Sequence, residues 1–158
     1  MPAPPLTVGW NEWLAFPGLG LPAVRAKIDT GARTSALHAR RIEHVERGGE
    51  PVARFEVNPL FRGRELAVAC EAPIVDEREV TSSSGHAELR IVVEAMLRLG
   101  VAVDAPEWPV EVTLTDRAGM RFPMLLGREA MAGRVLVDPG ASFVLGRPDR
   151  PGAFYDRG

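Results

Sequence analysis

Ala26-Lys27-Ile28-Asp29-Thr30-Gly31-Ala32 is a short, largely apolar run that ends in an acid, a hydroxyl and a glycine. Ile28 reads as the end of a strand entering a core, Thr30 can bond neighbouring backbone, and Gly31 permits a turn that a side chain would block. Such a turn aims the Asp29 carboxylate outward from a rigid base. By itself Asp-Thr-Gly is also an ordinary turn, so a second element has to decide the matter.

That element is Phe122-Pro123-Met124-Leu125-Leu126-Gly127-Arg128, about a hundred positions downstream. Three apolar residues run into Gly-Arg, and the helix-compatible Glu129-Ala130-Met131 follows. The pattern is a buried strand that stops at a glycine and turns into a short helix. Together the two segments resemble the retropepsin-like aspartic peptidases, in which an Asp-Thr-Gly-Ala loop is braced by a later apolar-apolar-Gly-Arg strand. Ala26 to Ala39, reading AKIDTGARTSALHA, resembles a bacterial branch of that superfamily labelled "ATP-dependent zinc protease". Further matches are Gly9-Trp10 with Glu12-Trp13, Leu114-Thr115-Asp116-Arg117 with Met120, and Val137-Asp138-Pro139. The resemblance covers roughly positions 8 to 145, with separated motifs in the same order.

The resemblance implies an all-β, retropepsin-like closed barrel with one short helix, and an aspartic endopeptidase activity. Two aspartates sharing one proton can hydrolyse a peptide without a metal or covalent intermediate, and aspartic proteases are the standard case. One carboxylate acts as base toward water while the other donates to the carbonyl or the leaving nitrogen. This chain has only one Asp-Thr-Gly; Asp116 lies in Thr115-Asp116-Arg117 and Asp138 precedes a proline. The second carboxylate is then Asp29 of a second copy across a two-fold axis, so the catalytic reading carries a homodimer with it.

By resemblance, Thr30 bonds between the two loops, Gly31 lets the backbone approach the water, Ala32 completes the loop, and Gly127 and Arg128 brace it from below. In retroviral relatives that arginine pairs with an acid just beyond Asp-Thr-Gly-Ala. Here the region reads Arg33-Thr34-Ser35, which leaves Arg128 to another acid or to a backbone carbonyl. Ser83, Ser84, Gly85 and His86 lie where a substrate-covering flap falls in chain order; the alternative is a surface loop with no special role. Family members are associated with ATP-grasp glutamate ligases that modify ribosomal protein tails. A peptide or protein substrate, a glutamate-rich tail and such a ligase are therefore the expected partners. The other function class is a catalytically silent barrel that binds one of them.

Zinc and ATP, both invoked by the branch label, find no motif. There is no His-Glu-x-x-His and no Gly-x-x-x-x-Gly-Lys-Ser/Thr phosphate cradle, so no metal and no cofactor is expected. A weaker zinc set combines His38 and His44, which share a side if one unbroken strand connects them, with a carboxylate such as Glu43. Ser83-Ser84-Gly85 lacks the Gly-x-Ser-x-Gly elbow of a serine nucleophile.

Composition fits one domain: 158 residues bury a core without metal or disulfide support. A net charge of −2 and a pI near 5.9 argue against a nucleic-acid or membrane surface. Cys70, the only cysteine, sits among apolar neighbours and reads as a buried strand thiol. Met1-Pro2-Ala3-Pro4-Pro5 lacks a secretory signature and no apolar run reaches a membrane span, so a cytoplasmic protein is expected.

In chain order, residues 1–6 read as a tail, 7–147 as the domain and 148–158 as a second tail. Leu6 to Leu14 predicts a first strand, and Pro17-Gly18-Leu19-Gly20 a turn before Val24 to Ile28. Ser35 to Glu46 and Val52 to Val57 flank Arg47-Gly48-Gly49-Glu50, a strong hairpin signal. Arg64 to Ala72 is a strand broken by Pro73, followed by a charged stretch and a polar tip at Thr81 to Gly85. Leu89 to Leu99 is a strand or a helix by periodicity, and the resemblance favours strand. Val110 to Thr115 and Met120 to Leu126 flank a turn, Glu129 to Ala132 is a short helix stopped by Gly133, and Val135 to Val137 and Ser142 to Leu145 are the last strands. Trp10 and Trp13 read as packing on the barrel.

Overall fold

Leu21, Ala23 and Val24, Ala26 and Ile28 are buried while Arg25 and Lys27 face outward, and this run forms the strand that ends in Asp29. The computed structural model describes residues 4–60, 66–81, 85–116 and 120–156. Its strands are β1 (Leu6–Val8), β2 (Asn11–Phe16), β3 (Leu21–Asp29), β4 (Ser35–His38), β5 (Arg40–Arg47), β6 (Glu50–Val57), β7 (Val68–Thr81), β8 (Ala87–Arg98), β9 (Glu107–Thr115), β10 (Met124–Gly127) and β11 (Val135–Val137). One helix, α1 (Arg128–Met131), follows β10 directly, and Gly133 with φ of 77° stops it.

Strands β2, β3, β10, β4, β9 and β8 run side by side, and pairing of Ala15 with Arg98 closes β2 onto β8. The closed barrel and, among the described residues, one short α-helix are thus as the sequence led us to expect. Leu14, Phe16, Leu21, Leu37, Leu97, Leu114, Met124 and Leu126 are wholly or almost wholly buried in the core. Strand β10 lies parallel to β3, with Gly127 beside Asp29, and antiparallel to β4. The two motifs of the sequence are therefore adjacent strands.

Strands β5, β6 and the first part of β7 form a wing outside the closed ring. Gly48 and Gly49, with φ of 59° and 84°, make the β5–β6 turn. Pro73 does not break its strand. It is the last residue opposite β6, at Val52, and Ile74 is the first opposite β8, at Val93. The missing N–H falls where the ladder changes partner. The ambiguous segment at Leu89 is the β8 strand.

Four predicted strands need correction. Leu6 to Leu14 is two strands, because the chain turns at Gly9 and Trp10. A Cβ on Gly9 would lie 2.2 Å from the Ala141 carbonyl oxygen, and the Trp10 amide donates to that same oxygen at 2.8 Å. Ser35 to Glu46 is interrupted at Ala39, whose amide donates to Thr115 O at 3.0 Å, and Arg41 has φ of 53°. Ser142 to Leu145 is no strand, because Phe143 is left-handed at φ 53° and the amides that follow it turn inward to a carboxylate. Strand β10 starts only at Met124, after Pro123.

That carboxylate belongs to Glu12, which is wholly buried. Its Oε2 accepts from the Gly9 amide at 2.7 Å and the Val144 amide at 2.8 Å, and its Oε1 from Leu145 at 3.1 Å. Three donors replace the lost water, so the charge is tolerated. Glu12→Gln keeps the shape but turns an N–H₂ toward backbone donors. It is expected to cost about 3 kcal/mol in urea unfolding. A loss below about 1 kcal/mol would mean the clasp contributes little. Near the other end of the chain, the 3₁₀ turn Pro151–Tyr155 sets Tyr155 Oη against Ala23, donating to its carbonyl and accepting from its amide.

Candidate functional site

Asp29 is the last residue of β3, half-buried, at the point where the strand opens into the turn Thr30-Gly31. The Gly31 amide donates to Asp29 Oδ1 at 3.1 Å, and the Ala32 amide donates to the Asp29 carbonyl at 3.2 Å. Among the described residues no partner takes Oδ2. The carboxylate is thus steered by one backbone donor and keeps one oxygen open. Thr30 is exposed beside it.

The sequence places Gly31 for its conformational freedom, and the structure gives a different reason. Its φ is not left-handed, but an added Cβ would lie 3.3 Å from Asp29 Oδ1. Glycine keeps the surroundings of that oxygen clear. Gly127 is stricter, since a Cβ there would meet the Thr34 carbonyl carbon and oxygen at 2.5 Å. Strand β10 therefore lies directly beneath the loop, and the Gly127 amide donates to Ser35 Oγ at 3.0 Å.

The brace is completed by backbone: Arg128 N donates to Ala32 O at 2.9 Å and Glu129 N to Arg33 O at 3.1 Å. Arg128 takes the second of the partners the sequence left open. Its Nη1 donates to the Gly31 carbonyl at 3.4 Å, and among the described residues no carboxylate pairs with it. The charged pair of this joint lies one residue on. Arg33 Nε is bonded to Glu129 Oε1, cation on the loop and acid on the helix. Sequence reasoning missed this pair, although opposite charges trail the two motifs at matching positions.

A cavity of about 270 Å³ opens beside the loop. Thr34, Ser35 and Glu129 line one side, Arg78 and Val92 of the β7–β8 hairpin a second, and Trp108, Glu111 and Thr113 of β9 a third. Arg78 bridges Asp76 at 2.8 Å and Glu111 at 2.9 Å; its bond to Asp76, with that from the Glu77 amide, holds the Asp76 carboxyl below its usual range. Arg134 stacks over the Trp108 ring at 4.9 Å. Of the four flap candidates, Ser83 and Ser84 lie outside the described residues. Gly85, with φ of 84°, and His86 lie between β7 and β8.

His38 and His44 are not joined by one strand, because Ala39 separates β4 from β5. His38 lies 3.8 Å from Asp116, and burial lowers its imidazole against the pull of that acid, while His44 lies 3.6 Å from Glu77. The weaker zinc set of His38, His44 and Glu43 loses its geometric basis. Among the described residues no three His, Cys, Asp or Glu side chains gather as metal ligands. Asp138 is engaged in its own turn, accepting from Gly140 N at 3.0 Å. Trp13 is buried and Trp10 meets the Phe122 ring edge-on at 6.0 Å, so both pack on the barrel. Among the described residues no helix is long and apolar enough to cross a membrane.

Cys70 is buried on β7, its Sγ 3.3 Å from Leu19 O, and burial pushes its thiol up to about 12. Ionisation that far above an ordinary thiol leaves little thiolate near neutrality. Alkylation of the folded protein at pH 8 is expected to run about a thousandfold slower than in urea, and comparable rates would refute the buried thiol.

Comparison with known proteins follows the same outline. A model of the RimB-like family, described as retropepsin-like aspartic endopeptidase RimB, matches residues 7–148. Proteins named probable alpha-L-glutamate ligase are similar. One from Shewanella pealeana is 47% identical over 139 residues, 88% of this chain and 30% of its own length. Another from Parasynechococcus marenigrum is 46% identical over 152 residues, 95% of this chain and 32% of its own. The chain thus spans about a third of the length of these curated relatives. A Legionella pneumophila protein of unknown function, known from a crystal structure, superposes with a TM-score of 0.73 at 30% identity, over 89% of this chain and 98% of that one. Loop, brace and sequence match agree, and the chain belongs to the RimB-like family of retropepsin-like aspartic endopeptidases.

Proposed function

We propose that this protein hydrolyses peptide bonds as a homodimeric aspartic endopeptidase, with the Asp29 carboxylates of two copies sharing one proton and activating a water between them. The observation that carries the reading is the aim of Asp29: a carboxylate at a strand end, fixed by Gly31 through one oxygen and open at the other. Thr30, Gly31 and Ala32 shape the loop, and Gly127 and Arg128 hold it from beneath. A substrate lies extended between the Asp29 face and the β7–β8 hairpin, and Ser83, Ser84, Gly85 and His86, which join those strands in sequence, act as the flap. The cavity at Thr34 and Trp108 receives one substrate side chain. No cofactor takes part, and the protein works in the cytoplasm.

The relatives' name, glutamate ligase, favours a glutamate-rich protein tail as substrate and a ligase as partner. The same name supports a second reading, a silent module that binds such a tail or ligase. Purified protein incubated with a peptide library from pH 4 to 7, glutamate-rich sequences included, separates the two. Cleavage that needs Asp29 supports the peptidase. Retention of the peptides uncut, by wild type and Asp29→Asn alike, supports the module.

A further inference from the structure

Arg33 and Glu129 are attached to each other twice. The Glu129 amide donates to the Arg33 carbonyl at 3.1 Å, and the Glu129 carboxylate takes the Arg33 guanidinium. The backbone bonds set the path of the crossing, and a side-chain bond between two of the same residues stiffens its angle. The joint lies where the chain leaving Asp29 crosses the start of α1, next to the bond from Arg128 N to Ala32 O at 2.9 Å. The two side chains are 76% and 51% exposed, so water screens the pair and it adds little to the stability of the whole barrel. Its place on the loop is what distinguishes it. The pair is also neutral as a unit, so it can fix the loop without imposing a net charge on the neighbouring carboxylate.

We propose that Arg33 and Glu129 are positioning residues, whose double attachment locks the Asp29 loop against β10 and α1 and so sets the aim of the carboxylate. This rests on Asp29 being the catalytic acid and adds what holds it in place. A lock of this kind depends on the tie and not on which partner carries which sign.

The test uses full-length wild type, Arg33→Ala, Glu129→Gln and the reversed pair Arg33→Glu/Glu129→Arg. Each is measured for kcat and KM on a cleaved peptide, for Tm, and for hydrogen exchange of the Arg128 and Glu129 amides by NMR. The single variants are expected to lose roughly 10- to 100-fold in kcat with KM within about twofold, since small misplacements of a reacting group carry penalties of this order. Their two amides exchange about tenfold faster, Tm barely moves, and the reversed pair recovers most of both losses. Single variants with unchanged kcat, or a reversed pair no better than the singles, overturn the proposal. If wild type cleaves no peptide, the peptidase reading fails by itself. The lock is then judged on exchange alone, and unchanged exchange in the single variants refutes it.

Discussion

Asp29→Asn is expected to lower peptide hydrolysis by at least about a thousandfold while leaving the fold intact. An amide can neither take a proton from water nor pass one to a leaving nitrogen, and a site that relies on one proton shared by two carboxylates has no substitute for either. The fold survives because the one partner of the side chain among the described residues, the Gly31 amide at 3.1 Å from Oδ1, is met equally by an asparagine oxygen. The variant also tests where the second carboxylate comes from. Titrating excess Asp29→Asn into a fixed amount of wild type draws wild-type chains into mixed dimers, each with one acid missing. Turnover should fall toward zero as the ratio rises. Turnover that stays constant under exchange would place the whole machinery in a single chain and end the dimer reading.

Gly127→Ala is expected to be the most damaging single-methyl change near the site. The new Cβ would sit 2.5 Å from both the carbon and the oxygen of the Thr34 carbonyl and 3.0 Å from the Ser35 nitrogen. These are backbone atoms, so no rotamer change can relieve the overlap, and β10 must move away from the loop. Overpacking of this kind costs about 2–3 kcal/mol, and a shift of about 1 Å under a catalytic group costs roughly a hundredfold in rate. Gly18→Ala is the control, because nothing lies within 4 Å of a Cβ there. Urea unfolding and peptide turnover of the two variants should diverge by those amounts, and equal behaviour would show that the strand does not support the loop.

Much of this architecture is legible in the residues. Asp29-Thr30-Gly31 is an ordinary turn alone and stands out only with Leu125-Leu126-Gly127 beside it in the pattern that the resemblance requires, and the structure sets the two side by side. Turns built on Gly48-Gly49 and Gly133 are visible locally. Glu12 is not, because periodicity reads each strand as having one wet face. All six residues of β2 are buried, as residues 143–145 cover the side that would otherwise meet water. Only its position beside the apolar Trp13-Leu14-Ala15-Phe16 hints at a buried acid. Pro73 misleads in the opposite sense, since proline signals a break only where the strand keeps one partner. Arg33–Glu129 joins residues far apart in sequence, and only the β3–β10 pairing tells that they meet.

The clasp at Glu12 bears on how this barrel is made. Its partners, Val144 and Leu145, follow it by 132 and 133 positions, and β3 waits similarly for β10. Parallel pairings over such separations close late, because the loop entropy must be met before any contact forms. A nascent chain therefore carries Glu12 in water and an unfinished Asp29 loop until those partners have been made. Timing of birth, as well as shape, keeps the carboxylate from being assembled early.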